Sequence, residues 1–131
     1  MGLVIKKLGG VVVVGLAERS VLDETNAEDF QKKMTDMVEH GTRYVVDMSN
    51  IIFLDSMGLH AFVKIGRYVS SLDGQMKLCR VDPLFRNVFK LMGIHHVLQV
   101  YDAEEEALAS YEHDAEGVGL VVARATALAG E

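Results

Sequence analysis

The chain has 131 residues, half of them hydrophobic, and a formal net charge of -6. That length gives room for one domain with a core that needs no disulfide or metal, and the single cysteine, Cys79, excludes an internal disulfide and a cysteine-built metal cluster. The acidity is concentrated in residues 102–131, which carry eight acidic side chains and one basic, while residues 1–101 hold twelve basic and eleven acidic; with no basic stripe and no clustered aromatics, nucleic acid is not expected as a direct partner.

Leu3 to Lys7 and Val11 to Leu16 are short apolar or alternating runs around Gly9 and Gly10, the pattern of a hairpin that starts a sheet. They contain no signal-peptide pattern, and no run of about 18 apolar residues follows anywhere, so the expectation is an unprocessed, cytoplasmic protein without membrane contact. From Thr25 to His40 the period becomes helical, with Ala27, Phe30, Met34, Met37 and Val38 on one face and Gly41 as the stop. Tyr44 to Met48 reads as a buried central strand, and Ile51 to Leu54 carries the chain to Asp55. A second helix follows Ser56, with Leu59, Phe62, Val63, Gly66 and Val69 on one face, and it ends in the turn Ser71 to Gly74. Met76 to Val81 is a further strand. Pro83 is placed to open a third helix with Leu84, Val88, Leu91 and Met92 as its apolar stripe, ended by Gly93. Val97 to Tyr101 is a last strand, and Ala103 to Tyr111 a last helix with Ala107, Leu108 and Tyr111 inward.

Strands alternating with helices in this order predict an α/β fold: a mixed, mostly parallel sheet of about five strands packed with about four helices. The domain is read over residues 1–112. Residues 113–131, with Gly117, Gly119 and the run Leu120 to Ala123, form a C-terminal extension equally compatible with packing on the body, packing on a second subunit, or fraying.

Three segments, in order and on the corresponding elements, resemble the STAS family. Phe53-Leu54-Asp55-Ser56-Met57-Gly58-Leu59 is similar to the family's Asp-Ser-Ser/x-Gly-Leu signature, Leu22-Asp23-Glu24-Thr25-Asn26-Ala27 to its Leu-Asp-x-x-Asn/Thr-Ala segment, and Asp47-Met48 to the end of its central strand. The element order is similar from about Leu3 to Leu108. The resemblance, to the anti-sigma factor antagonist type, implies a regulatory protein-binding module that engages a serine-kinase anti-sigma factor and is inactivated by phosphorylation of Ser56. It further implies a partner surface of Asp23, Asn26, Asp55, Met57 and Gly58, no cofactor and no catalysis, and it leaves a homodimer open. The second function class is a non-switching STAS scaffold subunit of a signalling assembly or lipid-transport complex. Three departures stand out. Met57 occupies the place of a second Ser or Thr, the segment Leu16 to Val21 is long, and residues after Glu112 have no counterpart.

Taken without the resemblance, Ser56 is a preferred helix N-cap, and Asp55 either caps the same helix or bonds near Ser56. Ser56 and His60 lie one helical turn apart, but no third orienting residue and no Gly-x-Ser-x-Gly elbow accompany them, so a catalytic pair is not expected. His95 and His96, as neighbours, are expected to diverge and hold no metal, and His40 and His113 sit at element ends. Gly9 and Gly10 lack the spacing of a phosphate-binding loop. Met34, Met37, Met76 and Met92 are assigned to the core, and Met57 to the surface. Cys79 is read as a small core residue.

Overall fold

The computed structural model describes residues 1–112. The elements are, in chain order, β1 (Leu3–Leu8), β2 (Val11–Leu16), β3 (Ser20–Leu22), α1 (Ala27–Met37), β4 (Arg43–Asp47), β5 (Ile51–Leu54), α2 (Ser56–Ser71), β6 (Gln75–Cys79), α3 (Pro83–Leu91), a 3-10 turn (Ile94–His96), β7 (Gln99–Tyr101) and α4 over 104–112; the expected alternation of strands and helices is present, and β3 and the 3-10 turn are added to it. The main sheet runs β1-β2-β4-β6-β7, with β1 antiparallel to β2 and every other pair parallel. Gly9 and Gly10 both take positive φ, 56° and 83°, in the two-residue turn of the first hairpin, a conformation that a side chain would strain.

Alternation along the strands sorts side chains to two faces. Val14, Tyr44, Val46, Met76 and Leu78 meet α1, α2 and α3 on one face; Val11, Val13, Val45 and Cys79 meet Ala107 and Tyr111 of α4 on the other. On the first face the rings of Phe30 and Phe62 lie 5.2 Å apart and join α1 to α2. Cys79 is fully buried, and burial first, then the nearby Asp47 and Glu104 carboxylates, push its thiol up to about 12, so it stays protonated and inert in the folded protein.

On the α4 face the fully buried Lys77 brings its Nζ to 2.7 Å from Ser110 Oγ and 4.1 Å from the centre of the Tyr111 ring. Tyr111 Oη reaches the carbonyls of Tyr44 at 2.7 Å and Gln75 at 3.1 Å, and Lys6 Nζ meets the buried Glu104 at 3.0 Å. Thus one acidic residue of the C-terminal region, Glu104, is part of the packing, while Glu105 and Glu106 are solvated.

Four expectations are corrected. A short strand, β3, falls within the segment read as a connection, and pairs with Ile51–Leu54 in a separate two-stranded parallel sheet. In α3 the buried residue is Phe89, with Phe85 partly buried, while Leu84, Val88, Leu91 and Met92 are exposed; the larger aromatic pair takes the inward face. Met92 is therefore not in the core. His95 and His96 do not diverge: on the tight 3-10 turn their ring centroids lie 4.0 Å apart, tilted by 40°. The expectations on residues 113–131, His113 included, lie outside the described residues.

Candidate functional site

The β3-β5 ribbon brings two segments together that are thirty residues apart in sequence. Leu22 and Leu54 are paired, and Asp55 N-H donates to the Leu22 carbonyl at 3.1 Å, so the loop Asp23 to Asn26 and the start of α2 emerge side by side. At the loop, Asp23 Oδ1 accepts from Thr25 N at 2.9 Å and from the Thr25 hydroxyl, while Asn26 Oδ1 accepts from Asp23 N at 3.0 Å and Asn26 Nδ2 donates to the Val21 carbonyl at 2.8 Å. The Thr25 hydroxyl, followed by its N-H, holds the Asp23 carboxyl below its ordinary value. Asp23 and Asn26 are therefore committed first to shaping this loop.

The N-cap of α2 is Asp55 and not Ser56. Its Oδ1 accepts from Met57 N and Gly58 N, each at 2.9 Å, and Oδ2 reaches across to accept from Glu24 N at 3.1 Å. One carboxylate thus closes the helix end and fixes the neighbouring loop. Ser56 occupies the first helical position, exposed, and Met57 beside it is 50% exposed. Gly58 is buried against the loop: a Cβ there would stand 2.6 Å from the Leu22 carbonyl oxygen, so only glycine lets the two segments approach this closely. Of the residues expected at the rim, Asp55 and Met57 flank Ser56, the loop that carries Asp23 and Asn26 lies beside Asp55 through the Glu24 bond, and Gly58 is buried under the Leu22 carbonyl and so supports the rim from beneath. No hydrogen bond links Ser56 to the exposed His60, and among the described residues no group of three or more His, Cys, Asp or Glu could hold a metal.

The sequence reading missed the apolar half of this surface. Phe53, 51% exposed and three residues before Ser56, sets its ring edge-on to Phe85 at 6.3 Å between centroids. This contact joins the rim to α3, where Leu84, Val88 and Leu91 project outward at helical spacing, Leu91 at 88% exposure. Several large apolar side chains exposed on one helix and at the neighbouring rim are a mark of an interaction site. The sequence reading contains the stripe itself, Leu84, Val88, Leu91 and Met92, but assigns it to the inward face; the residues it overlooks are Phe85 and Phe89.

If Asp55 is the clamp described, Asp55→Ala should lower stability by about 1 to 2 kcal/mol, whereas Asp55→Asn, which can still accept at the cap, should retain most of it. Urea unfolding measures both. An unchanged midpoint for Asp55→Ala would show that the cap bonds contribute nothing.

The STAS domain family model matches residues 3–107. BtrV of Bordetella bronchiseptica, whose name marks it as a candidate anti-sigma factor antagonist, is 26% identical over 113 residues, spanning 86% of this chain and 96% of its own length. The anti-sigma F factor antagonist of Paenibacillus polymyxa is 28% identical over 107 residues, 79% of this chain and 88% of that protein. Among solved structures, the Bacillus cell fate determinant SpoIIAA in its phosphorylated form has the same fold, with a TM-score of 0.60 at 20% identity, covering 84% of this chain and 99% of that one. Among the described residues, no helix is long and apolar enough to cross a membrane.

Proposed function

This chain belongs to the STAS domain family, and from that premise we propose that it is an anti-sigma factor antagonist, a binding protein that engages a serine-kinase anti-sigma factor and is inactivated when that kinase phosphorylates Ser56. The observation that carries the reading is the position of Ser56: an exposed hydroxyl at the first helical position, framed by the Asp55 clamp on one side and Met57 on the other. The helix end is already closed by Asp55, so the serine is not needed as a cap and its hydroxyl is free for transfer chemistry. The names of the two relatives support the class of partner.

The partner surface takes in the loop Asp23 to Asn26, the start of α2 from Asp55 to Gly58, and the apolar stripe of α3. Before modification the rim gives a partner a rigid polar edge beside an apolar face, a combination suited to one stable docking pose. Incubation with ATP and candidate serine kinases, followed by mass spectrometry, should place one phosphate on the peptide containing Ser56, and none in Ser56→Ala. Failure of every kinase that binds the protein to modify it would favour the scaffold class. For the α3 stripe, Leu91→Asp should weaken kinase binding by about 2 kcal/mol or more, the scale of an interface hot spot, with no change in melting temperature. Unaltered affinity in calorimetry would remove α3 from the interface.

A further inference from the structure

A cleft of about 490 Å³ opens outside the C-terminal ends of β4 and β6, between β5 and the start of α3. Its lining is mixed: Met48, Ile51 and Val81 lie buried behind it, the exposed Ile52 and Pro83 supply its apolar surface, and Arg19, Ser49 and Arg80 are among its polar residues. This end of a parallel sheet is where open α/β folds bind ligands, and the volume lies in the range of small-molecule sites.

The charges around the cleft are unequal in their availability. Of its two carboxylates, Asp82 gives Oδ1 to Leu84 N at 2.9 Å as the cap of α3, and Asp102 is paired with Arg86. On the cationic side, Arg80 has among the described residues one long ion pair, 3.4 Å from Nη1 to Asp47 Oδ2, and its side chain remains 45% exposed. Arg19 is exposed and has no ion pair with a described residue. Arg80 also has φ +56°, in the left-handed region that glycine and asparagine ordinarily occupy, so a guanidinium is kept at the cleft against local backbone preference.

We infer that this cleft binds a small organic anion, its carboxylate or phosphate held between Arg19 and Arg80 and its apolar body laid against Ile52 and Pro83. A guanidinium pair recognises either head group through charge-assisted hydrogen bonds, and the exposed Ile52 and Pro83 favour a carbon body over a bare ion.

The test is a titration of the full chain, followed by the amide resonances of Ser49, Arg80, Val81 and Leu84, with phenyl phosphate, benzoate, inorganic phosphate and benzyl alcohol as probes. Phenyl phosphate or benzoate should shift these signals saturably with a Kd of about 1 mM or tighter, inorganic phosphate should bind more weakly, and neutral benzyl alcohol should not saturate. Arg19→Ala and Arg80→Gly should each weaken the aryl anion roughly tenfold, the scale of one lost charge-assisted bond. Glycine suits the left-handed backbone at position 80, so that variant should keep its melting temperature; if it does not fold, Arg19→Ala on the exposed connection still decides. No saturable shift in this group of signals, equal binding of benzyl alcohol, or unchanged affinity in Arg19→Ala would overturn the inference.

Discussion

Phe30→Ala should lower the unfolding free energy by about 3 to 5 kcal/mol, a large share of the 5 to 15 kcal/mol typical of a domain of this size. Phe30 is 1% exposed, and its ring lies 5.2 Å from that of Phe62, itself completely buried, at an interplanar angle of 57°. Removing the ring takes away both its transfer from water and the tilted aromatic contact that joins α1 to α2, and leaves a void that a sheet on one side and a helix on the other cannot easily collapse. Urea unfolding should show an earlier midpoint with little change in slope. A midpoint within about 0.5 kcal/mol of the wild type, the range of ordinary surface substitutions, would mean that α1 contributes far less to the core than its burial indicates.

Ser56→Asp should reduce affinity for the cognate kinase at least tenfold, about 1.4 kcal/mol, and melt within a few degrees of the wild type. The two halves of this expectation have different origins. In the free protein a negative group at the first helical position meets the positive end of the helix dipole, worth about 0.3 to 1 kcal/mol, but Met57 N and Gly58 N are already taken by Asp55 and the two carboxylates repel through water. These opposing terms are small and leave the fold nearly unaffected. In a complex the same charge is desolvated beside Asp55, and an uncompensated buried charge costs several kcal/mol. Ser56→Ala should bind as the wild type does and resist inactivation. Tight binding of Ser56→Asp in calorimetry would dismiss a charge switch at this residue; a large drop in its melting temperature would instead assign the effect to the Asp55 clamp.

Much of this architecture could be read from residue order, and the places where it could not have physical causes. The period of Ala27, Phe30 and Met34 and the branched run Tyr44 to Val46 each permit one burial solution, and both were realised. Helix α3 permits two. It has apolar residues on two faces, and periodicity alone does not state that Phe85 and Phe89 outcompete Leu84, Val88 and Leu91 for the sheet. Strand β3 is three residues long and has no pattern of its own; it exists because Ile51–Leu54 offers it an edge. At the site, Asp55 and Ser56 are both good capping residues in adjacent positions, and a shift of one residue in the helix start exchanges their roles. The bond from Glu24 to Asp55 joins residues 31 apart and is invisible to any local reading.

The covering of the sheet's second face by α4 bears on how the chain acquires its structure during synthesis. Every strand of the main sheet and all three helices of the first face precede residue 102, so that layer can assemble while residues 104–112 are still inside the ribosome. In an order of assembly that forms this layer first, Val11, Val13, Val45 and Cys79 would stand as an uncovered apolar plate with Lys77 among them. A charge set into an otherwise sticky surface resists stacking between nascent chains, as inward-pointing lysines protect sheet edges, and the same ammonium later becomes the peg on which Ser110 and Tyr111 settle.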